Sequence, residues 1–219
     1  VDVDASKVTA ITGKAADVRT VVESTAISTA ANVAVTITDS LDATDLTDLN
    51  KIAAATSGKI TATLEGAATT LADANTGLKT DATDAITIKV TDTIAAASDL
   101  KALDSKTSVV VDAKTVTEIT AVAADVADVA TVLAAKTIAK AADVAVTFTD
   151  TISALQANSI AKLTTGVVTA TVADASASYL NSTLKDAKAT DALTLTVIGT
   201  TATAADLNAL DAKTKEVIT

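Results

Sequence analysis

VDASKVTAITGKAADV, running from Val3 to Val18, returns as VDAKTVTEITAVAADV from Val111 to Val126. Asp4, Val8, Ile11 and Asp17 of the first stretch stand in register with Asp112, Val116, Ile119 and Asp125 of the second. The correspondence carries on outward from this pair. VAVTITD (Val33 to Asp39) recurs as VAVTFTD (Val144 to Asp150), and ITATL (Ile60 to Leu64) as VTATV (Val168 to Val172). DAITIKV (Asp84 to Val90) recurs as DALTLTV (Asp191 to Val197), and DLKALDSKT (Asp99 to Thr107) as DLNALDAKT (Asp206 to Thr214). The period is about 107 residues and divides the chain into two tandem copies, 1–107 and 108–219, with three extra residues entering the second copy near 139–143.

Within each copy the apolar pattern alternates between a period of two and a period near 3.6, which marks strand followed by helix. Strands are expected near 8–12, 33–38, 59–64 and 85–90, and again near 116–120, 144–149, 167–172 and 193–197. Between them lie Ala-rich stretches with apolar residues three or four apart: Leu46, Leu49, Ile52 and Ala53; Val122, Val126, Val129 and Leu133; Leu100 and Leu103; Leu207 and Leu210. These read as one-sided helices. Asp39-Ser40, Asp92-Thr93 and Asp150-Thr151 close strands where a side-chain oxygen can cap the helix that follows. Gly58 and Gly166 follow Ala-rich runs, the place of a left-handed residue after a helix.

The chain has no Pro and no Asn-Gly or Asp-Gly pair, so the usual two-residue hairpin turns are missing and parallel strands with helical crossovers are expected. The fold class is therefore α/β: a repeat solenoid of four β-α segments per copy, each about 27 residues long, with one parallel sheet on one side and helices on the other. Lys215 to Thr219 resemble the start of a further strand, as Ser108 to Asp112 do after the first copy. Neither end shows a distinct polar cap, which suits a slice of a longer array or a subunit whose ends dock on identical neighbours.

Composition narrows the function. The 219 residues include no His, Cys, Met or Trp, one Tyr and one Phe, so the core must be built of small aliphatic side chains. The commonest general base, the commonest metal ligand and the thiol nucleophile are all missing. Net charge is −10 and Arg19 is the only arginine, which leaves no basic stripe for nucleic acid or an anionic membrane. No apolar run approaches the ~20 residues that span a bilayer. No charged-then-apolar leader opens the sequence, so an export signal would lie outside this segment.

The phrases ITGKAADV, TSGKITATL, DLNALDAKT and VDAKTVTEIT resemble the tandem repeats of very large secreted cyanobacterial cell-surface proteins, of the S-layer and hemolysin-associated kind. The resemblance spans the whole chain. It implies an extracellular location and a surface-layer, filament or adhesion role, with self-assembly. The Gly- and Asp-rich nonapeptide that binds calcium in hemolysin-type proteins does not occur here, so that property is not carried over.

The most regular candidate surface is threonine at alternate strand positions: Thr36 and Thr38, Thr61 and Thr63, Thr87 and Thr91, Thr147 and Thr149, Thr169 and Thr171, Thr194 and Thr196. On a strand these share the face opposite Val35 and Ile37, or Ile86 and Ile88. Such a ladder is a self-association face, a binding face for ice or polysaccharide, or simply the solvated side of a sheet made with a good β-branched residue. The acidic clusters Asp39, Asp42, Asp45 and Asp48, and Asp81 and Asp84, offer oxygen ligands but lack EF-hand spacing. They read as helix caps, and calcium is the one cation left to consider. Asn181-Ser182-Thr183 fits the glycosylation triplet. Walker A, GxGxxG and GxSxG motifs do not occur. A paired-carboxylate hydrolase would need unique acids, whereas nearly every acid here recurs. The reading is a non-catalytic structural repeat protein without a cofactor, partnered by itself or by neighbouring repeats, with a polysaccharide- or ice-binding module as the alternative.

Overall fold

The computed structural model describes residues 2–219. In chain order the strands are β1 (Val3–Ala5), β2 (Ala10–Gly13), β3 (Ile27–Thr29), β4 (Ala34–Leu41), β5 (Ile60–Gly66), β6 (Ala85–Val90), β7 (Ile94–Ala96), β8 (Val111–Asp112), β9 (Glu118–Ala121), β10 (Ile138–Ala139), β11 (Ala145–Ile152), β12 (Val168–Val172) and β13 (Ala192–Thr194). The helices are α1 (Ala15–Val22), α2 (Leu46–Ala55), α3 (Ala68–Ala72), α4 (Ala97–Asp104), α5 (Val126–Ala134), α6 (Ala154–Ala161), α7 (Ala177–Thr183) and α8 (Ala204–Asp211), with 3₁₀ turns before α2 and α5. Seven of the eight strands expected from the alternating pattern form near the expected places, and the eighth, expected over 193–197, is cut to Ala192–Thr194 with an isolated bridge at Val197. The five unforeseen ones are two or three residues long, too short for a period of two to show.

The chain forms two compact units. The first holds the chain up to Asp92 together with Asp99–Thr115 and Lys136–Ala139; the second holds Thr93–Ser98, Val116–Ala135 and Lys140–Thr219. In the first unit the order is β10-β8-β6-β5-β4-β2, with β1-β3 as a separate pair. In the second it is β13-β12-β11-β9-β7. Every pairing is parallel. The chain is thus α/β, with parallel sheets flanked by helices. The single continuous sheet expected from the repeats is not what forms: the strands fall into three sheets. β6 continues its sheet through β8 and β10, with Lys89 beside Asp112, whereas β9 pairs with β7 and β11 in another sheet, so the two main ladders do not run on into one.

Alternation decides what is buried. In β5 and β6, Ile60, Ala62, Leu64, Ile86, Ile88 and Val90 face inward while Thr61, Thr63, Thr87 and Lys89 face out. Each fully buried Val, Leu or Ile contributes about 1.5 to 3 kcal/mol before chain entropy is counted. On α2 the inward stripe is Leu46, Leu49 and Ile52, as the spacing predicts, and Leu100 and Leu103 are buried on α4. On α5 the buried pair is Val129 and Val132, with Val122 exposed ahead of the helix and Val126 and Leu133 half-buried.

Two strands bulge at the same place. Thr36 lies beside Thr61 but Ser40 beside Thr63 between β4 and β5, and Thr147 lies beside Thr169 but Thr151 beside Thr171 between β11 and β12. Two extra residues on one strand kink it and release side chains from the ladder. The carboxylates released are Asp39 and Asp150. The Ala15 N–H donates to Asp39 Oδ1 at 3.0 Å, and the Ala123 N–H to Asp150 Oδ1 at 2.5 Å. Asp92 likewise accepts from the Ala68 N–H at 2.5 Å. These acids therefore cap the preceding α1, the 3₁₀ turn before α5, and α3, rather than the helices that follow them. Lys14 and Ala67 have no capping side chain of their own, so the next segment supplies one.

Gly58 and Gly166 are not left-handed helix caps; among the described residues Gly199 is the only one with positive φ, at 113°. They are glycine for want of room. A Cβ on Gly58 would sit 2.3 Å from the Val33 carbonyl oxygen, and one on Gly166 2.3 Å from that of Asp143.

Candidate functional site: a threonine-lined sheet face

The parallel register sets the threonines in rows. In the first unit Thr12, Thr36 and Thr61 are successive neighbours across β2, β4 and β5, and Ser40, Thr63 and Thr87 form a second row across β4, β5 and β6. In the second unit the rows are Thr120, Thr147 and Thr169, and Thr151, Thr171 and Thr194. Neighbouring strands in such a ladder are about 4.8 Å apart, and like-facing residues along a strand about 6.6 Å apart. Thr36, Thr61, Thr63, Thr87, Thr171 and Thr194 are exposed, and Thr147 and Thr169 half-exposed.

Four of the twelve candidate threonines leave this lattice. Thr38 and Thr149 lie inside the bulges, and Ser40 and Thr151 take the places expected for them. Thr91 follows the end of β6, where its N–H donates to the Gly66 carbonyl at 3.1 Å. Thr196 lies beyond β13, with its hydroxyl 3.3 Å from that of Thr219.

Charge borders the face in the first unit. Glu65 and Lys89 are register partners joined by a 3.2 Å ion pair, and Lys89 stands beside Asp112. On the helical side Arg19 reaches Asp48 at 2.6 Å and Glu23 at 3.6 Å, and Lys51 reaches Glu23 at 3.3 Å. The lone arginine is thus spent on tying α1 to α2.

A second population of threonines went unread in the sequence. Thr56, Thr107, Thr164 and Thr214 are buried at the ends of the Ala-rich runs. Each hydroxyl donates to a carbonyl of a neighbouring strand segment: Thr56 to Val33 at 2.6 Å, Thr107 to Ile86 at 2.7 Å, Thr164 to Val144 at 2.6 Å and Thr214 to Leu193 at 2.8 Å. Each also accepts an N–H two residues on, from Gly58, Val109, Gly166 and Glu216. The signal lies in ATSG, SKTS, LTTG and AKTK, a Thr one to three residues after α2, α4, α6 and α8. Asp84 and Asp191 add a parallel device. Asp84 Oδ1 accepts the Ile60 N–H at 2.7 Å, and Asp191 Oδ1 the Val168 N–H at 2.9 Å, both in buried settings.

The acidic clusters resolve into local hydrogen bonds. Asp42 and Asp45 form a capping box on the 3₁₀ turn, and Asp48 is taken by Arg19. The Thr44 hydroxyl and N–H hold the Asp42 carboxyl below its ordinary range, and those of Thr83 do the same for Asp81. Ser6 acts likewise on Asp4, the N–H and hydroxyl of Thr76 on Asp73, and Asn181 with Thr203 on Asp206. Asp99 moves the other way, pushed up by burial and by the charge of Asp92. Among the described residues no group of three or more Asp or Glu side chains is placed to hold a metal ion. The Asn181 amide donates to Asp206 Oδ1 at 3.0 Å, so the glycosylation triplet lies on α7 with its amide engaged.

A recess of about 590 Å³ forms an open groove in the second unit beside Val197, Leu207, Val217 and Ile218. Among the described residues no helix is long and apolar enough to cross a membrane. Compared with known proteins, the chain matches no family model, no curated protein and no solved structure.

Proposed function

We propose that the chain is a non-catalytic structural repeat protein of the cell surface or of an extracellular layer or filament, built as a solenoid of β-α segments and assembling end to end or laterally. The observation that carries this reading is where the buried polar groups go. Thr56, Thr107, Thr164, Thr214, Asp84 and Asp191 each hydrogen-bond the backbone of an adjacent segment, 20 to 24 residues away in the chain, and hold their own turn with a second, local bond. A catalytic constellation needs unique, convergent and incompletely satisfied groups. Here the conspicuous polar residues recur and are satisfied, and their output is a regular surface. Secretion and a place in a surface layer rest on composition and on the resemblance of the repeats.

Electron microscopy of the purified protein tests the proposal. Ordered fibres or sheets are expected, and particles that stay dispersed at high protein and salt concentration would overturn it. A second reading draws on the threonine rows alone: a binding module whose hydroxyl lattice takes ice or an insoluble polysaccharide. Co-sedimentation with a polysaccharide, lost on replacing Thr61 and Thr63 by Lys, would favour it.

A further inference from the structure

We propose that the last β-α segment of the second unit docks the first segment of a second copy in a defined register, with Thr201–Thr203 of one molecule lying parallel to Ala10–Thr12 of the next. This rests on the self-assembly reading above and names the surfaces and the pairing.

The molecule already contains one such junction. VTEIT, on β9, lies between β11 and β7: Glu118 is beside Ala145 on one side and Ile94 on the other, with Ile119 beside Ala95 and Thr120 beside Ala96. The Thr93 carbonyl accepts the N–H groups of Thr117 and Glu118. VTAIT, on β2, carries the same motif but among the described residues ends its sheet, bonded to β4 alone. The edge that β7 covers on β9 is open on β2.

Burial follows the same division. Val116 and Ile119 are 1% and 0% exposed, whereas their counterpart Val8 is 41% exposed and Ile11 half-buried. The complementary surface shows the mirror contrast. Ala95, Ala97 and Leu100 are buried, while their counterparts Ala202 and Ala204 are exposed and Leu207 is 40% exposed on the 590 Å³ groove. The strand segments β7 and β9, paired in the middle of the chain, therefore have counterparts in Thr201–Thr203 and Ala10–Thr12 that are not paired with each other among the described residues. Joining them across molecules is a heterologous contact, which propagates instead of closing.

The overlap of the copies sets where pairing begins. Val3 and Asp4 of the incoming molecule and Ile218 and Thr219 of the receiving one both correspond to Val111 and Asp112, so only one pair can fill that position. Ala10–Thr12 has no such competitor. A charge of −10 on each molecule opposes the contact, and salt relieves it over a Debye length of about 8 Å at physiological ionic strength.

The chain has no cysteine, so single cysteines report the register cleanly. Directly opposed residues of adjacent strands lie within the Cα separations of about 4.4 to 6.8 Å that a disulfide tolerates. Equimolar Ala10→Cys and Thr201→Cys proteins, mixed under air, are expected to yield a cross-linked heterodimer that Thr36→Cys with Thr201→Cys does not. Leu207→Asp, an exposed substitution that leaves the circular dichroism unchanged, is expected to weaken association about tenfold or more by sedimentation. If molecules associate yet Ala10→Cys and Thr201→Cys do not link, or Thr36→Cys links equally well, the register is overturned while self-assembly stands. A monomer at every protein and salt concentration overturns both.

Discussion

Thr61 and Thr164 are the same residue in opposite employment. Thr61 stands on the open face of β5, flanked in its row by Thr36, with no protein group bonded to its hydroxyl among the described residues. Thr164 is buried, donates to the Val144 carbonyl at 2.6 Å and accepts from the Gly166 N–H at 3.0 Å. The first kind sets the chemistry of a surface and the second holds successive segments together. A hydroxyl in water is replaceable, whereas a buried one leaves its partners orphaned when it goes.

The comparison is sharpest where buried staples are removed. Asp191→Ala strips acceptors from the Val168 and Lys188 N–H groups, and it should cost about 2 to 5 kcal/mol in urea unfolding, the largest single effect here. A loss under 1 kcal/mol would mean the second unit does not depend on this tie. Gly58→Ala forces a methyl against the Val33 carbonyl and should cost about 1 to 3 kcal/mol, against near neutrality for Gly13→Ala, whose nearest neighbour is a Val18 methyl at 3.4 Å. Thr164→Val keeps the shape and removes both hydrogen bonds, for an expected loss of about 1 to 3 kcal/mol.

Acid separates the two regions more gently. Asp4, Asp42, Asp73, Asp81 and Asp206 have carboxyls held below the unfolded value near 3.8, so the stability they lend is complete above that value and drains away as pH falls through their lower folded values. Asp99 is raised, so its protonation favours the folded state and offsets part of the loss. Thermal unfolding followed from pH 6 to pH 2 should show a falling Tm below about pH 4, and a shallower fall in the Asp42→Asn, Asp81→Asn double variant. Last comes the open face. Thr61→Ser and Thr63→Ser should change stability by about 0.5 kcal/mol or less, and a larger effect would show the exposed rows to be part of the fold's support.

Much of this architecture is legible in the sequence. The duplication, the eight main strands and their parallel pairing follow from apolar spacing and from missing hairpin turns, and the threonine face follows from strand periodicity. β6 appears at 85–90 as expected, because IxIxV between polar turns admits little else. The short strands escape notice, since two or three residues carry no period. The bulges escape too: VTITDSL reads as an even strand, and only the partner's register shows that Thr63 faces Ser40 instead of Thr38.

Sequence by itself determined which residues alternate and how often the pattern returns, because strand and helix periods are properties of the local backbone. Tertiary structure alone decided what those residues touch. Asp39 caps a helix that precedes it, Gly58 is small because the Val33 carbonyl crosses beside it, and Thr56 and Thr61, five residues apart, part into core and surface. Each depends on the chain segment about 24 residues away, a distance over which no local pattern reports and which only the packed sheet brings to about 5 Å.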